Sequence, residues 1–313
     1  MRTGGNQRFT QWKAILLGGF LCASMPGMLR AQMTMGPYFT AINYPLRKHS
    51  VMLMTLADLQ SARFGPDFST AMLMAEYGIT DRWTAGVMAE GQKISGSPTT
   101  YGGMRLNTYF HLFRDDRFLN LTLYGEYENL NGAALYKMEV AGFGPEDLTE
   151  PLAEARRAPV RTFEQRVILY HDWRRLCATF NFIRETALQG DRVSDYGYAI
   201  GVFVKPAAMS GSDIGMAGMT GMTATPAISM SRVGYGAEMI GALGDDQRFG
   251  FHRDSQQHYI GAVFTYDLSP RWSVRVEPAF GLSKVSDPFM LRTGVAYTFG
   301  RTGAGKHDGP TRM

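Results

Sequence analysis

The chain has 313 residues, with 32 Lys and Arg against 28 Asp and Glu. The basic surplus sits in the first 31 residues, which hold Arg2, Arg8, Lys13 and Arg30 and no acid, so it carries no implication of nucleic-acid binding. After that segment no apolar run of about 18 residues appears, which excludes transmembrane helices.

The chain opens in the order of a secretory signal peptide. A basic start leads into the apolar stretch 14–23, then Pro26 and Gly27, then Leu29-Arg30-Ala31 with a small residue at the cleavage point. Cleavage is expected after Ala31, leaving 32–47 as a periplasmic N-terminal segment. Leu21 before Cys22 is too large for a lipoprotein signal, and Cys177 is left without a partner for an intramolecular disulfide.

From residue 48 onward, stretches of about ten residues alternate apolar and polar side chains. In 82–92, Trp83, Ala85, Val87 and Ala89 alternate with Thr84, Gly86, Met88 and Glu90. In 118–128 three leucines alternate with Asn120, Thr122, Tyr124 and Glu126; in 272–281 Trp272, Val274 and Val276 alternate with Ser273, Arg275 and Glu277. Successive strand side chains point to opposite faces, so each segment has one apolar and one polar side. Twelve such segments are predicted, at 48–57, 68–79, 82–93, 102–112, 117–128, 161–172, 175–186, 195–205, 232–243, 258–267, 271–282 and 288–299.

A two-sheet sandwich alternates in the same way, and the connections decide between the two. Tight turns at Thr80-Asp81-Arg82-Trp83, Asp115-Asp116-Arg117-Phe118, Asp172-Trp173-Arg174-Arg175 and Ser269-Pro270-Arg271-Trp272 alternate with longer polar connections near 58–67, 94–101, 129–160, 189–194 and 244–257. Short turns at one rim, long loops at the other, and Trp83, Trp173 and Trp272 all at the short turns point to a membrane barrel with an interfacial aromatic girdle. The expected fold is all-β: a closed antiparallel transmembrane barrel of about twelve strands, with short periplasmic turns and longer extracellular loops, spanning 48–299. An even count closes a single-chain barrel, and closure satisfies the backbone in lipid. The long loop 129–160, the Met-rich periplasmic connection 206–231 and the polar tail 300–313 stand outside that pattern.

The last strand, Phe289 to Phe299, resembles the C-terminal signature of outer-membrane barrels, although here a tail follows it. That likeness implies outer-membrane lipid and the barrel-assembly machinery as partners. Together with Glu76-Tyr77-Gly78-Ile79-Thr80-Asp81-Arg82-Trp83 and the final Tyr297-Thr298-Phe299, the leader and turns resemble outer-membrane transporter barrels of the phenol-degradation-pathway type and, more loosely, copper-resistance outer-membrane barrels. The resemblance implies a barrel in the outer membrane of a Gram-negative-type bacterium and transfers no substrate.

With the polar face turned inward, the expected lumen-lining residues are Glu76, Glu90, Arg105, Glu126, Glu164, Arg166, Glu185, Glu238, Arg275, Glu277 and Arg292. Such a set serves either as an ion-pair lattice packing a narrow barrel or as a polar path for a solute, and its mixed signs speak against a strongly selective ring of one charge. Met216, Met219 and Met222 form a Met-x-x-Met series with Met209 and Met230 flanking it, and thioethers are soft ligands suited to Cu(I). Met72, Met74 and Met88 are expected on the inward face with Met52, Met54 and Met290, as one patch across four consecutive strands. Methionine is also an adaptable apolar filler, and the same patch could line a path for an apolar solute.

No catalytic constellation is expected. The six His are scattered without metal-motif spacing, His171 and Asp172 fall on opposite faces, and Cys177 has no visible activating group. The reading is a non-enzymatic barrel passing a small molecule or metal ion; the alternatives are Cu(I) or Ag(I) handling by the Met-rich segment and a structural or adhesive role for loop 129–160.

Overall fold

A computed structural model describes residues 46–113, 118–131, 160–173, 175–189, 193–206, 230–269 and 271–299. The signal segment, the Met-rich series 216–222, most of loop 129–160, the tail, and turn residues 114–117, Arg174 and Pro270 lie outside the described residues. Twelve strands form one closed antiparallel barrel, each pairing with its chain neighbours and the last returning to the first. They are β1 Val51–Ser61, β2 Phe68–Thr80, β3 Trp83–Ile94, β4 Thr100–His111, β5 Asn120–Leu130, β6 Val160–Trp173, β7 Leu176–Ala187, β8 Ser194–Val204, β9 Val233–Asp245, β10 His258–Asp267, β11 Trp272–Gly281 and β12 Phe289–Phe299. Among the described residues no helix is long and apolar enough to cross a membrane; the strands make the crossing.

Closure is carried by an uninterrupted eleven-residue register between β1 and β12, from Val51 opposite Phe299 to Ser61 opposite Phe289. That register corrects one boundary. The sequence pattern ends the first strand at residue 57 and begins a loop at 58, but the ladder runs on to Ser61 and turns Asp58 and Gln60 into buried inward residues. The added pairs satisfy backbone groups that a loop in lipid would leave unpaired.

Burial alternates along the strands. Leu73, Leu106, Leu123, Val167, Ile200, Val202, Phe264 and Val276 are exposed on the outer face, where they meet acyl chains rather than water. Trp83 and Trp173 are exposed at the short-turn rim. There the Trp83 indole N–H donates to Thr108 Oγ1 at 2.7 Å, Arg82 lies over the Phe110 ring, and His171 packs between Phe118 and Trp173. Trp272 packs against Tyr297 at the same rim. Each tryptophan, like Tyr297, has an apolar body for lipid and a polar edge for the interface, the property that places such aromatics in girdles.

Candidate functional site

The inner face is closely packed rather than open. Three apolar clusters line it: Leu46, Met52 and Ala296 at the short-turn rim, Ile168, Tyr170 and Cys177 at the same rim on another wall, and Ala199, Ile240, Tyr259, Ala279 and Met290 toward the long loops. Cys177 is fully buried within its cluster, a packing position. Leu46 precedes β1 and folds inward, its backbone N–H donating to the buried Thr84 Oγ1 at 3.2 Å. The Leu46 and Arg47 carbonyls approach Gly78 so closely that a β-carbon there would collide with both.

All eleven predicted charged residues occupy inward-facing strand positions. The structure adds Asp58, Glu128 and Asp267 to the same face. Each sits within the last four residues of its strand, and extending the alternation that identified Glu126 by one step finds Glu128. With these additions carboxylates clearly outnumber guanidinium groups among the described inward residues.

The charges gather on two walls about half a circuit apart. On β3–β6, Arg105 donates to Glu90 at 2.6 Å, to Glu128 at 2.7 Å and to Glu126 at 3.2 Å. The two flanking strands supply these partners because Glu128 stands opposite Arg105 and Glu126 opposite Asn107 in the β4–β5 register, while β3 brings Glu90 from the other side. Tyr124 O–H donates to Glu126 at 2.5 Å, Thr162 O–H donates to Glu128, and Arg166 binds Glu164 through Nε and Nη2 while lying over the Tyr124 ring. Glu164 stands directly opposite Glu185 on β7.

On the other wall Arg292 binds Asp58 in a fork, Nε to Oδ1 at 2.9 Å and Nη2 to Oδ2 at 3.0 Å. Glu277 lies opposite Arg292 in the β11–β12 register and is fully buried, yet neither of its carboxylate oxygens has a hydrogen-bond partner among the described residues. Its carboxylate rests over Gly261, where a β-carbon would come within 2.6 Å of Oε1. Gly261 pairs with Glu238 on β9, which sets that acid beside the same stretch of wall as Arg275 and Glu277.

The predicted methionine patch splits. Met54, Met74 and Met88 stand directly opposite one another across β1, β2 and β3, and Met52 and Met72 adjoin them. Met290 does not join: it pairs with Gln60 and Ala279 and packs in the apolar cluster toward the long loops. The register explains this, since β12 presents Ala296 rather than Met290 to Met54.

No family model matches this chain, and no curated protein matches it. Among solved structures, an outer-membrane channel from Pseudomonas putida F1 covers 88% of this chain and 100% of its own, at 10% identity and a TM-score of 0.50. A KdgM porin solved with disordered oligogalacturonate covers 80% of this chain and 99% of its own, at 9% identity and a TM-score of 0.48. The likeness is one of fold. The shared architecture is that of bacterial outer-membrane barrels, and the packed lumen is the interior of such a barrel.

Proposed function

We propose that the barrel is a narrow conduit for a small solute, with passage favouring cations or cationic groups. The carrying observation is the enclosed lumen in which inward carboxylates outnumber arginines, with Glu277 buried and its oxygens free of hydrogen bonds among the described residues. A cation passing such a wall exchanges its water for carboxylate oxygens, and a packed bore admits it only in small size. The P. putida protein is named a channel, which agrees with this reading of a shared fold. Its solute is not carried over.

Purified protein in planar bilayers is expected to give small conductance steps. Under a KCl gradient the reversal potential is expected to take the sign of cation preference. A silent bilayer would end the conduit reading; a current preferring chloride would end its charge assignment. The phenol-pathway resemblance, the metal reading through Met216, Met219 and Met222 and the contact role of loop 129–160 rest on sequence alone. Deleting most of 132–159 is expected to change conductance if that loop folds over the bore.

A further inference from the structure

On β1–β3 nine inward positions form a block. Met52, Glu76 and Gly86 make the row nearer the short turns, Met54, Met74 and Met88 the middle row, and Leu56, Met72 and Glu90 the row above. Opposed side chains in such a ladder begin about 5 Å apart at Cβ, within the combined reach of flexible thioethers. Three sulfurs in one row can therefore converge on one ion.

The sulfurs are not placed as in a dry core. Met74 Sδ accepts from the Asn107 amide at 3.7 Å, so one of its lone pairs already faces a polar partner. The Asn107 and Glu76 side chains converge over Gly86, where a β-carbon would collide with the Asn107 oxygen. Glu76, 2% exposed, has one carboxylate oxygen without a hydrogen-bond partner among the described residues; Glu90, also 2% exposed, has one as well while its other oxygen holds Arg105. A methionine row used only as filler has no need of buried carboxylates with unused oxygens on both sides.

We propose that this block is a transit site for a soft monovalent cation, Cu(I) or Ag(I), with Met54, Met74 and Met88 as donors and Glu76 and Glu90 as counter-charges. Neutral thioethers select softness, and the carboxylates offset the cost of bringing one positive charge out of water. Thioether binding is weak enough to release the ion, as conduction requires. The transit half of the proposal rests on the conduit reading; the binding half does not.

Isothermal titration of the purified, folded chain with silver nitrate in chloride-free buffer tests it. Because other methionines can also take silver, the measurement is a difference. M54L/M74L/M88L keeps side-chain bulk and is expected to lose a whole equivalent of bound Ag(I), while E76Q is expected to keep it at about tenfold lower affinity, the effect of removing one nearby charge. Circular dichroism and heat-shifted gel mobility establish that both variants are folded. Unchanged stoichiometry and affinity in both would overturn the site. Silver binding in a protein that passes no current keeps the site and overturns the conduit; current without the lost equivalent does the reverse.

Discussion

The two charged walls of the lumen use the same residue types for opposite ends. On β3–β6 one guanidinium bonds to three carboxylates, so Arg105 ties three strands together, and a second guanidinium holds Glu164 within β6. On β11, β12 and β1 Arg292 is committed to Asp58, and neighbouring Glu277 is left with two oxygens that no hydrogen-bond donor among the described residues engages. A buried charge hydrogen-bonded to an opposite charge supports the fold, whereas one without hydrogen bonds costs stability and is retained where it meets something else.

The sharpest way to break that contrast is to remove the shared cation. R105M leaves three buried carboxylates facing one another. Loss of a partner from a buried ion cluster costs about 3–5 kcal/mol, so the urea midpoint of the folded barrel in detergent is expected to fall markedly. A midpoint within error of wild type would mean the β3–β6 charges are not structural.

A charge placed on the opposite side of the wall calibrates the first result. Val167 is exposed to lipid near the middle of β6, and V167R is expected to cost about 2–4 kcal/mol in bilayer refolding. Its neighbour Arg166 faces inward beside Glu164, so adjacent residues of one strand should respond to charge with opposite sign.

That opposition is legible in the sequence, because a two-residue period and a tryptophan at each of three short turns require nothing but the local chain. The same period suffices to assign all eleven charged positions to the inner face. The grouping of those charges is not legible. Arg105 meets Glu126 and Glu128 only through the β4–β5 register, and Asp58 meets Arg292 across the seam where the last strand joins the first. Register depends on turn geometry and long-range packing, which is why alternation alone puts Met290 in the methionine patch although Ala296 stands beside Met54. Strand ends are the other loss: polar residues such as Asp58 look like loop until the ladder pairs them.

E277Q tests the second wall with a smaller effect of reversed sign. Removing a buried charge that makes no hydrogen bond among the described residues, while keeping the shape, is expected to leave stability unchanged or raise it by about 1 kcal/mol, and to lower the cation preference of the current. A destabilisation as large as that of R105M would make Glu277 another strut and abolish the distinction between the walls.

The smallest effect concerns a charge outside both walls, at the long-loop rim. Asp246 follows β9 and accepts from the Tyr196 hydroxyl at 2.7 Å and the Ser194 backbone N–H at 2.8 Å, and these bonds, the tyrosine's foremost, hold its carboxyl below the usual aspartate value. A lowered pKa means that the folded loop favours the ionised form, so its contribution is complete above the ordinary aspartate range and is lost as pH falls through the lowered value. Hydrogen exchange across 246–257 is therefore expected to speed up, relative to the intrinsic rate, as pH falls below about 4, and in D246N to be independent of pH over that interval. Full solvent exposure keeps the effect small, and it stays local to the rim. If acid instead loosened the β3–β6 wall in step with this loop, the lumen charges would be in contact with bulk solvent, contrary to the packed bore on which the separation of the two walls depends.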